Sequence, residues 1–343
     1  MSIDLRTDYL GLTLPSPIMA SSSPDTGHLD RRVAAFEAGA GAVVLPSIFE
    51  EEVEAEEMAH HAGLEFGSGV FGEAADGYLP EPVGYEPSID RQMKHLAAAV
   101  EAVDVPVIGS LNGVSDGGWI RYATKLVDAG AAAIELNLYR MTADAHETGS
   151  SVEAGYLSLV EAVRAAVEVP LAVKIGPWFS SVPSMARRFS EAGADGLVLF
   201  NRFYQPDLDL DELAPVPLLE LSHSWELRPL LRWLAIVRPV VAEQTSLAAT
   251  SGIGSGADVV KALMVGADIA MMTSALLRHG AGHVGRVEAE LVGWLSENDY
   301  ESVDQLRGSA SYATSDRPEG FERANYVATL HSWTAPWHST RRS

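Results

Sequence analysis

A single (β/α)8 barrel is the fold the sequence predicts. Three observations predict it: eight short apolar runs, helical patterns between them, and a glycine stop that recurs where helix gives way to strand. The runs are Pro17–Ser21, Ala42–Pro46, Val105–Ser110, Ala132–Asn137, Leu171–Ile175, Gly196–Asn201, Val240–Glu243 and Ile269–Thr273. Each is continuously apolar and flanked by turn residues, as parallel strands buried on both faces require. Helical patterns fall between them, at Asp30–Ala38, Ile89–Val103, Trp119–Ala129, Val152–Val167 and Val182–Ala192. The phrase Ala-Gly-Ala recurs at 38–40, 129–131 and 192–194, with Gly266-Ala267 as a shortened copy. At each, a glycine able to take the left-handed conformation ends a helix and a strand follows. Alternating units of this kind favour a closed barrel over an open sheet.

Composition fits one large domain. The chain has 343 residues, 47% of them apolar, enough for a barrel core read over residues 1–331, with 332–343 as a C-terminal tail rich in Trp, Ser and Arg. There is no cysteine, which excludes disulfides, thiolate metal sites, iron–sulfur clusters and a cysteine base. Twenty-four Lys and Arg face 47 Asp and Glu, a formal charge of −23. Such a surface repels nucleic acid and anionic membrane, so neither is an expected partner. The N-terminus MSIDLRTDYLG has no basic segment leading into an apolar one, and no apolar run reaches about 18 residues. The expectation is a soluble, cytoplasmic protein.

Two connections exceed simple turns. The stretch Ile48 to Pro87 carries the acidic run 50–57, His60-His61 and a glycine-rich segment, and reads as a lid or substrate loop. The stretch Arg202 to Ser224 holds an extra apolar piece, Leu218–Leu221, and reads as a small accessory hairpin. His60-His61 lacks a metal-ligand spacing, so no metal is expected.

The chemistry concentrates near the C-terminus. Ala249-Thr250-Ser251-Gly252-Ile253 and Met272-Thr273-Ser274-Ala275-Leu276 would be the loops after strands seven and eight, which in barrels often hold a phosphate on backbone N–H groups. Gly252 would let backbone approach the anion, and the hydroxyls of Thr273 and Ser274 could donate to it. Two ordinary tight turns would look the same.

The ordered set of motifs resembles the dihydroorotate dehydrogenase family, in particular its class 1 members and dihydroorotate dehydrogenase-like relatives. Residues 9–22, Tyr-Leu-Gly-Leu-Thr-Leu-Pro-Ser-Pro-Ile-Met-Ala-Ser-Ser, resemble the family's G-x-x-L-x-N-P-x-x-x-A-S-G. Ile134-Glu135-Leu136-Asn137-Leu138 is similar to the start of E-L-N-L-S-C-P-N, Val173-Lys174-Ile175 to V-K-L, and Ser251-Gly252-Ile253 to G-G-I. Order and spacing agree from about residue 5 to residue 290.

The resemblance implies FMN. By it, Ala20 and Ser21 would approach the flavin ring, with Gly252, Ile253, Thr273 and Ser274 at the phosphate. Asn137 and Asn201 would sit beside ring or substrate, and Lys174 near the N1/C2 carbonyl edge, where a cation favours the reduced flavin. A barrel lysine paired with Glu135 is the structural alternative for Lys174. Asn112 is a further candidate substrate contact, or a cap for the helix starting near Gly117.

The departures matter as much. Residues 137–142 read Asn-Leu-Tyr-Arg-Met-Thr, so Arg140 stands where class 1 has its cysteine base, and arginine stays protonated. Tyr139 and Thr142 are the nearest substitutes, and Arg140 is carried as a catalytic candidate that would contact an anionic group. Leu45-Pro46-Ser47 replaces the family's T-K-S lysine, and the acidic run nearby would repel an anionic substrate such as orotate.

The leading expectation is therefore an FMN oxidoreductase acting on a CH–CH bond of a small molecule, with a separate electron acceptor; a homodimer is compatible with such a barrel. Dihydroorotate oxidation in pyrimidine biosynthesis, a non-redox lyase or isomerase barrel binding a phosphorylated substrate, and a non-catalytic flavin binder are the alternatives.

Overall fold

The first two strands close the floor of the molecule. In the computed structural model, which describes residues 3–56, 58, 88–112, 116–138, 140–202, 205–323 and 325–333, β1 (Thr7–Tyr9) and β2 (Leu12–Leu14) pair antiparallel. Tyr9, Leu10 and Leu14 pack among the inward residues of the barrel strands. The Leu10 N–H donates to Ser246 Oγ at 2.9 Å, and Thr7 Oγ1 donates to the Asp268 carbonyl at 2.9 Å. The Tyr9 hydroxyl is buried without a partner. Burial first, then the charges of Glu135 and Asp268, push its pKa well up.

Above this plug stands a closed parallel ring of eight strands: β3 (Ile18–Ala20), β4 (Ala42–Val44), β6 (Val107–Asn112), β7 (Ala133–Asn137), β8 (Leu171–Ile175), β9 (Gly196–Leu199), β12 (Ser246–Thr250) and β13 (Ile269–Met272). Pairing of β13 with β3 and of β4 with β6 completes the circle. β5 (Ile48–Phe49) adds to the far end of β6, opposite Leu111 and Asn112. β10 (Asp207–Asp209) and β11 (Ala214–Val216) form the accessory hairpin in the long connection after β9.

The helices are α1 (Leu29–Glu37), α2 (residues 50–56), α3 (Ser88–Ala102), α4 (Asp116–Asp128), α5 (Gly149–Ala166), α6 (Val182–Glu191), α7 (Leu227–Val237), α8 (Gly256–Met264), α9 (Ser274–His279), α10 (His283–Glu297), α11 (Val303–Leu306) and α12 (Asn325–Ser332). Among the described residues no helix is long and apolar enough to cross a membrane.

Two expectations need correction. The seventh strand is Ser246–Thr250, not Val240–Glu243. Residues 240 and 241 belong to the turn closing α7, where both N–H groups donate to the Val237 carbonyl. β-Branched valines drew the assignment, while the true strand carries Leu-Ala-Ala, whose small inward Ala248 suits a crowded barrel interior. The acidic run is also not a loop: residues 50–56 are helical, with Val53 and Glu50 buried. Glu50 lies against Gly118 in α4, where a Cβ would stand 1.9 Å from its Oε1. His60-His61 and residues 334–343 lie outside the described residues.

The recurrent glycine does more than stop a helix. After α6 the Gly193 and Ala194 N–H groups return to Ser190 and Phe189, and after α8 those of Gly266 and Ala267 return to Leu263 and Ala262. The next residue is aspartate both times. The Asp195 carboxylate accepts the Leu171 N–H at 2.8 Å and Arg164 at 2.7 Å. That of Asp268 accepts the Leu247 N–H at 2.6 Å and Arg238 at 3.1 Å. Each arginine stem lies over the glycine, with Cγ 2.7 Å from where a Cβ would stand.

Burial raises the Asp268 pKa, while Arg238, the Leu247 N–H and Arg307 pull it down. Arg238→Ala is expected to cost about 2 kcal/mol, less than the ~3–5 kcal/mol of a fully stripped buried pair because Arg307 remains. The variant's Asp268 pKa rises further above its unfolded value. The penalty is therefore full at neutral pH and fades as pH falls toward the ordinary aspartate value of 3.8. Urea melts of both proteins at pH 7 and pH 4 check this, and an equal loss at both would refute it.

Candidate functional site

Strand parity builds the site. Successive side chains on a strand point to opposite faces, and Met19, Ile108, Ala133, Ala172, Ala248 and Met271 face the barrel interior. Two residues further on, Ser21, Ser110, Glu135, Lys174, Thr250 and Thr273 therefore face inward as well, nearer the C-terminal ends. One step higher come Asn112 and Asn137. By the same rule Ala20 faces outward, into the core shared with the helices. Any approach of Ala20 to a ring would therefore be by its backbone.

These ends open into one cavity of about 400 Å³, within the range of small-molecule sites. Ser21, Asn112, Asn137, Lys174, Asn201, Gly252, Ile253, Thr273 and Ser274 all line it, so the structure brings together nine of the eleven residues picked from sequence. Ala20 and Arg140 do not line it. Arg140 is turned outward and paired with Glu147 at 2.9 Å. Thr142 is exposed and likewise off the cavity, and Tyr139 lies outside the described residues.

On one side Asn137 anchors a polar network. Its Nδ2 donates to Ser110 Oγ at 2.9 Å, Ser47 Oγ at 3.1 Å and the Leu111 carbonyl at 3.3 Å, and the two serine hydroxyls lie 2.8 Å apart. Ser47 thus occupies the neighbourhood where a second-strand lysine was missing. Deeper in, Lys174 Nζ stands 3.3 Å from Glu135 Oε1, with side chains 9% and 1% exposed. The pairing named as the structural alternative is present, and Lys174 lines the cavity as well. The Ser21 hydroxyl is buried with no protein partner.

At the other end the hydroxyls hold one another. The Ser222 N–H and hydroxyl both donate to Ser274 Oγ at 2.9 Å, and the Gly252 N–H donates to Ser222 Oγ at 3.4 Å. Gly252 has φ +74°, and a Cβ there would lie 2.6 Å from the Leu227 nitrogen. Its glycine is thus demanded by close packing of the 223–227 segment. Asp258 fixes the next turn, accepting from Ser255 Oγ at 2.8 Å, Ser224 Oγ at 3.0 Å and the Gly254 N–H at 3.2 Å.

Sequence reasoning missed Ser222, Ser47 and Arg202. Ser222 lies at the end of the Arg202 to Ser224 connection, right after the apolar piece Leu218–Leu221, which was the available signal. Among the described lining residues the charged side chains are Lys174 and Arg202, and none is a carboxylate. None of residues 50–56, the described part of the acidic run, lines the cavity. Among the described residues no cluster of three or more His, Asp or Glu is placed to hold a metal.

No family model matches the chain. It is 24% identical, over 90% of its length and 98% of the relative's, to the catalytic subunit of dihydroorotate dehydrogenase B (NAD(+)) of Thermoplasma volcanium. It is 23% identical to the NAD-dependent dihydropyrimidine dehydrogenase subunit PreA of Escherichia coli, over 90% of this chain and 77% of that one. A dihydroorotate dehydrogenase A (fumarate) of Lacticaseibacillus paracasei is 31% identical over 52% of this chain and 62% of its own. These relatives are dehydrogenases, and the chain stands with them among the oxidoreductases.

Proposed function

We propose that this dihydroorotate dehydrogenase-like barrel is an FMN-dependent oxidoreductase acting on a CH–CH bond of a small molecule held in the cavity. The observation that carries the reading is the Ser21 hydroxyl, buried without a protein partner in the wall of a cavity whose far end is a cluster of hydroxyl and N–H groups. A buried polar atom of this kind is costly unless a ligand or water satisfies it. A flavin fits the set: apolar walls from Met271, Ile253 and Leu277, the asparagine amides, and the cations of Lys174 and Arg202.

FMN, when bound, supplies the two-electron acceptor. Ser222, Gly252, Thr273 and Ser274 would hold its phosphate. Lys174 would offer a fixed positive charge to the edge of the ring that becomes negative on reduction. Asn112, Asn137 and Asn201 would orient a polar substrate through paired donors and acceptors. Leu219, Leu221 and Phe49 add further apolar surface to the lining.

The relatives' names favour a pyrimidine-type substrate, and oxidation of dihydroorotate is the second reading. Against it, no general base is placed at the family's position among the described residues: Arg140 and Thr142 lie off the cavity, and Lys174 is held by Glu135. General-base help is worth about 100- to 10,000-fold. Purified protein is therefore expected to hold one FMN per chain, and that flavin to bleach with dihydroorotate far more slowly than a turnover timescale under anaerobic mixing. A colourless protein that ignores added FMN in a thermal-shift titration would remove the cofactor reading. Fast bleaching would restore the dihydroorotate reading and leave the cofactor untouched.

A further inference from the structure

The phosphate end of the cavity includes an irregular strap, residues 219–222, gripped by two arginines. Arg278 donates to the carbonyls of Leu221 at 2.8 Å and Ser222 at 2.7 Å. Arg202 donates to the carbonyl of Glu220 and forks over the Glu226 carboxylate at 2.9 and 3.4 Å. Three successive carbonyls are thus each taken by a guanidinium. Glu226 in turn accepts the His223 N–H at 3.0 Å, which fixes the chain just past the strap.

Apart from the bonds of Ser222 to Ser274 and Gly252, little else orders this segment. Leu218 and Leu219 are 57% and 60% exposed, so apolar burial does not hold it, and residues 217–223 carry no regular secondary structure. Yet the strap carries Ser222, whose hydroxyl meets Ser274 and the Gly252 N–H. A planar guanidinium forked over a carboxylate is directional, which a lysine cannot reproduce.

We propose that Arg202 is a positioning residue for the phosphate seat, acting through the strap and its pair with Glu226 to hold Ser222 in place. The proposal rests on the FMN reading above. Arg202 directly follows Asn201 in the chain and lines the same cavity. The pair therefore ties the substrate side of the site to its phosphate side.

The test compares FMN with riboflavin, which has the ring but no phosphate, by fluorescence titration of the apoprotein. Arg202→Gln and Glu226→Gln should each weaken FMN binding roughly 10-fold, the scale of a lost charge-assisted hydrogen bond, with riboflavin affinity changed by less than about 2-fold. Arg202→Lys should resemble Arg202→Gln, since it keeps the charge and loses the fork. The melting temperature of the apoproteins should stay near that of wild type. Equal weakening of FMN and riboflavin, or of neither, would overturn the proposal while wild-type FMN binding stands. If wild type binds no FMN, the cofactor reading fails and this proposal with it. Should Arg202→Gln not fold, Glu226→Gln and Arg202→Lys carry the same comparison.

Discussion

Lys174→Met is expected to destabilise the apoprotein by about 3–5 kcal/mol, the usual penalty for removing one partner of a buried ion pair. The reason is Glu135. Its side chain is 1% exposed, its Oε1 is 3.3 Å from Lys174 Nζ, and beneath it lies the unpartnered hydroxyl of Tyr9. Without the ammonium, a carboxylate remains in the barrel interior with little to compensate its lost hydration. The double variant Lys174→Met/Glu135→Leu should recover most of the loss, because replacing a whole buried pair by apolar side chains is often neutral. Denaturant melts of wild type, single and double variants measure this. A single variant as stable as wild type would show that the pair does not depend on its cation. The flavin offers an independent readout. If Lys174 faces the reduced ring, the single variant's flavin midpoint potential falls, and a potential unchanged from wild type would confine Lys174 to a packing role.

Gly252→Ala is the second large effect. The added Cβ meets the backbone nitrogen of Leu227 at 2.6 Å and the His223 carbonyl oxygen at 3.0 Å, and φ of +74° is unfavourable for alanine besides. Backbone cannot rotate aside as a side chain can. The 223–227 segment must move, and Ser222 moves with it. A stability loss of about 2–4 kcal/mol is expected from overpacking plus left-handed strain, together with loss of FMN from the purified protein. Ser251 next to it also has positive φ, at +80°, so the loop already carries one residue in an unfavourable conformation. Wild-type melting and wild-type flavin content in Gly252→Ala would contradict the packing argument.

Most of the barrel could be read from the chain, and the failures have a common cause. Seven of the eight runs overlap observed strands, because valine, isoleucine and leucine between turn residues report burial on both faces. The eighth, Ser246–Thr250, was missed because its burial is served by alanines, which carry no strand preference. The cavity residues were readable where motif and strand parity agreed, as at Asn137 and Lys174. Ala20 shows the limit, since a motif gives a position but only the period of two gives a direction. Ser222 and Arg202 lie in irregular chain after β9, and their place depends on hydrogen bonds to residues 226, 274 and 278. No local pattern encodes partners so far away. Arg140 was misplaced toward the site for the opposite reason: alignment to a motif ignores Glu147, which draws it outward.

The paired aspartates at the start of β9 and β13 have a consequence for how this scaffold can change. Each one measures its strand against a neighbour, Asp195 against Leu171 and Asp268 against Leu247, by a carboxylate short enough to tolerate no offset. A slide of two residues would keep every side chain on its proper face but carry the carboxylate out of reach of that N–H. The stagger at these two junctions is thus gauged at the base, on the side away from the cavity. The rim is left free of that duty. Its connections, including the hairpin after β9, can be lengthened, shortened or exchanged without disturbing the geometry on which they stand, which is the condition for one barrel to acquire new substrates.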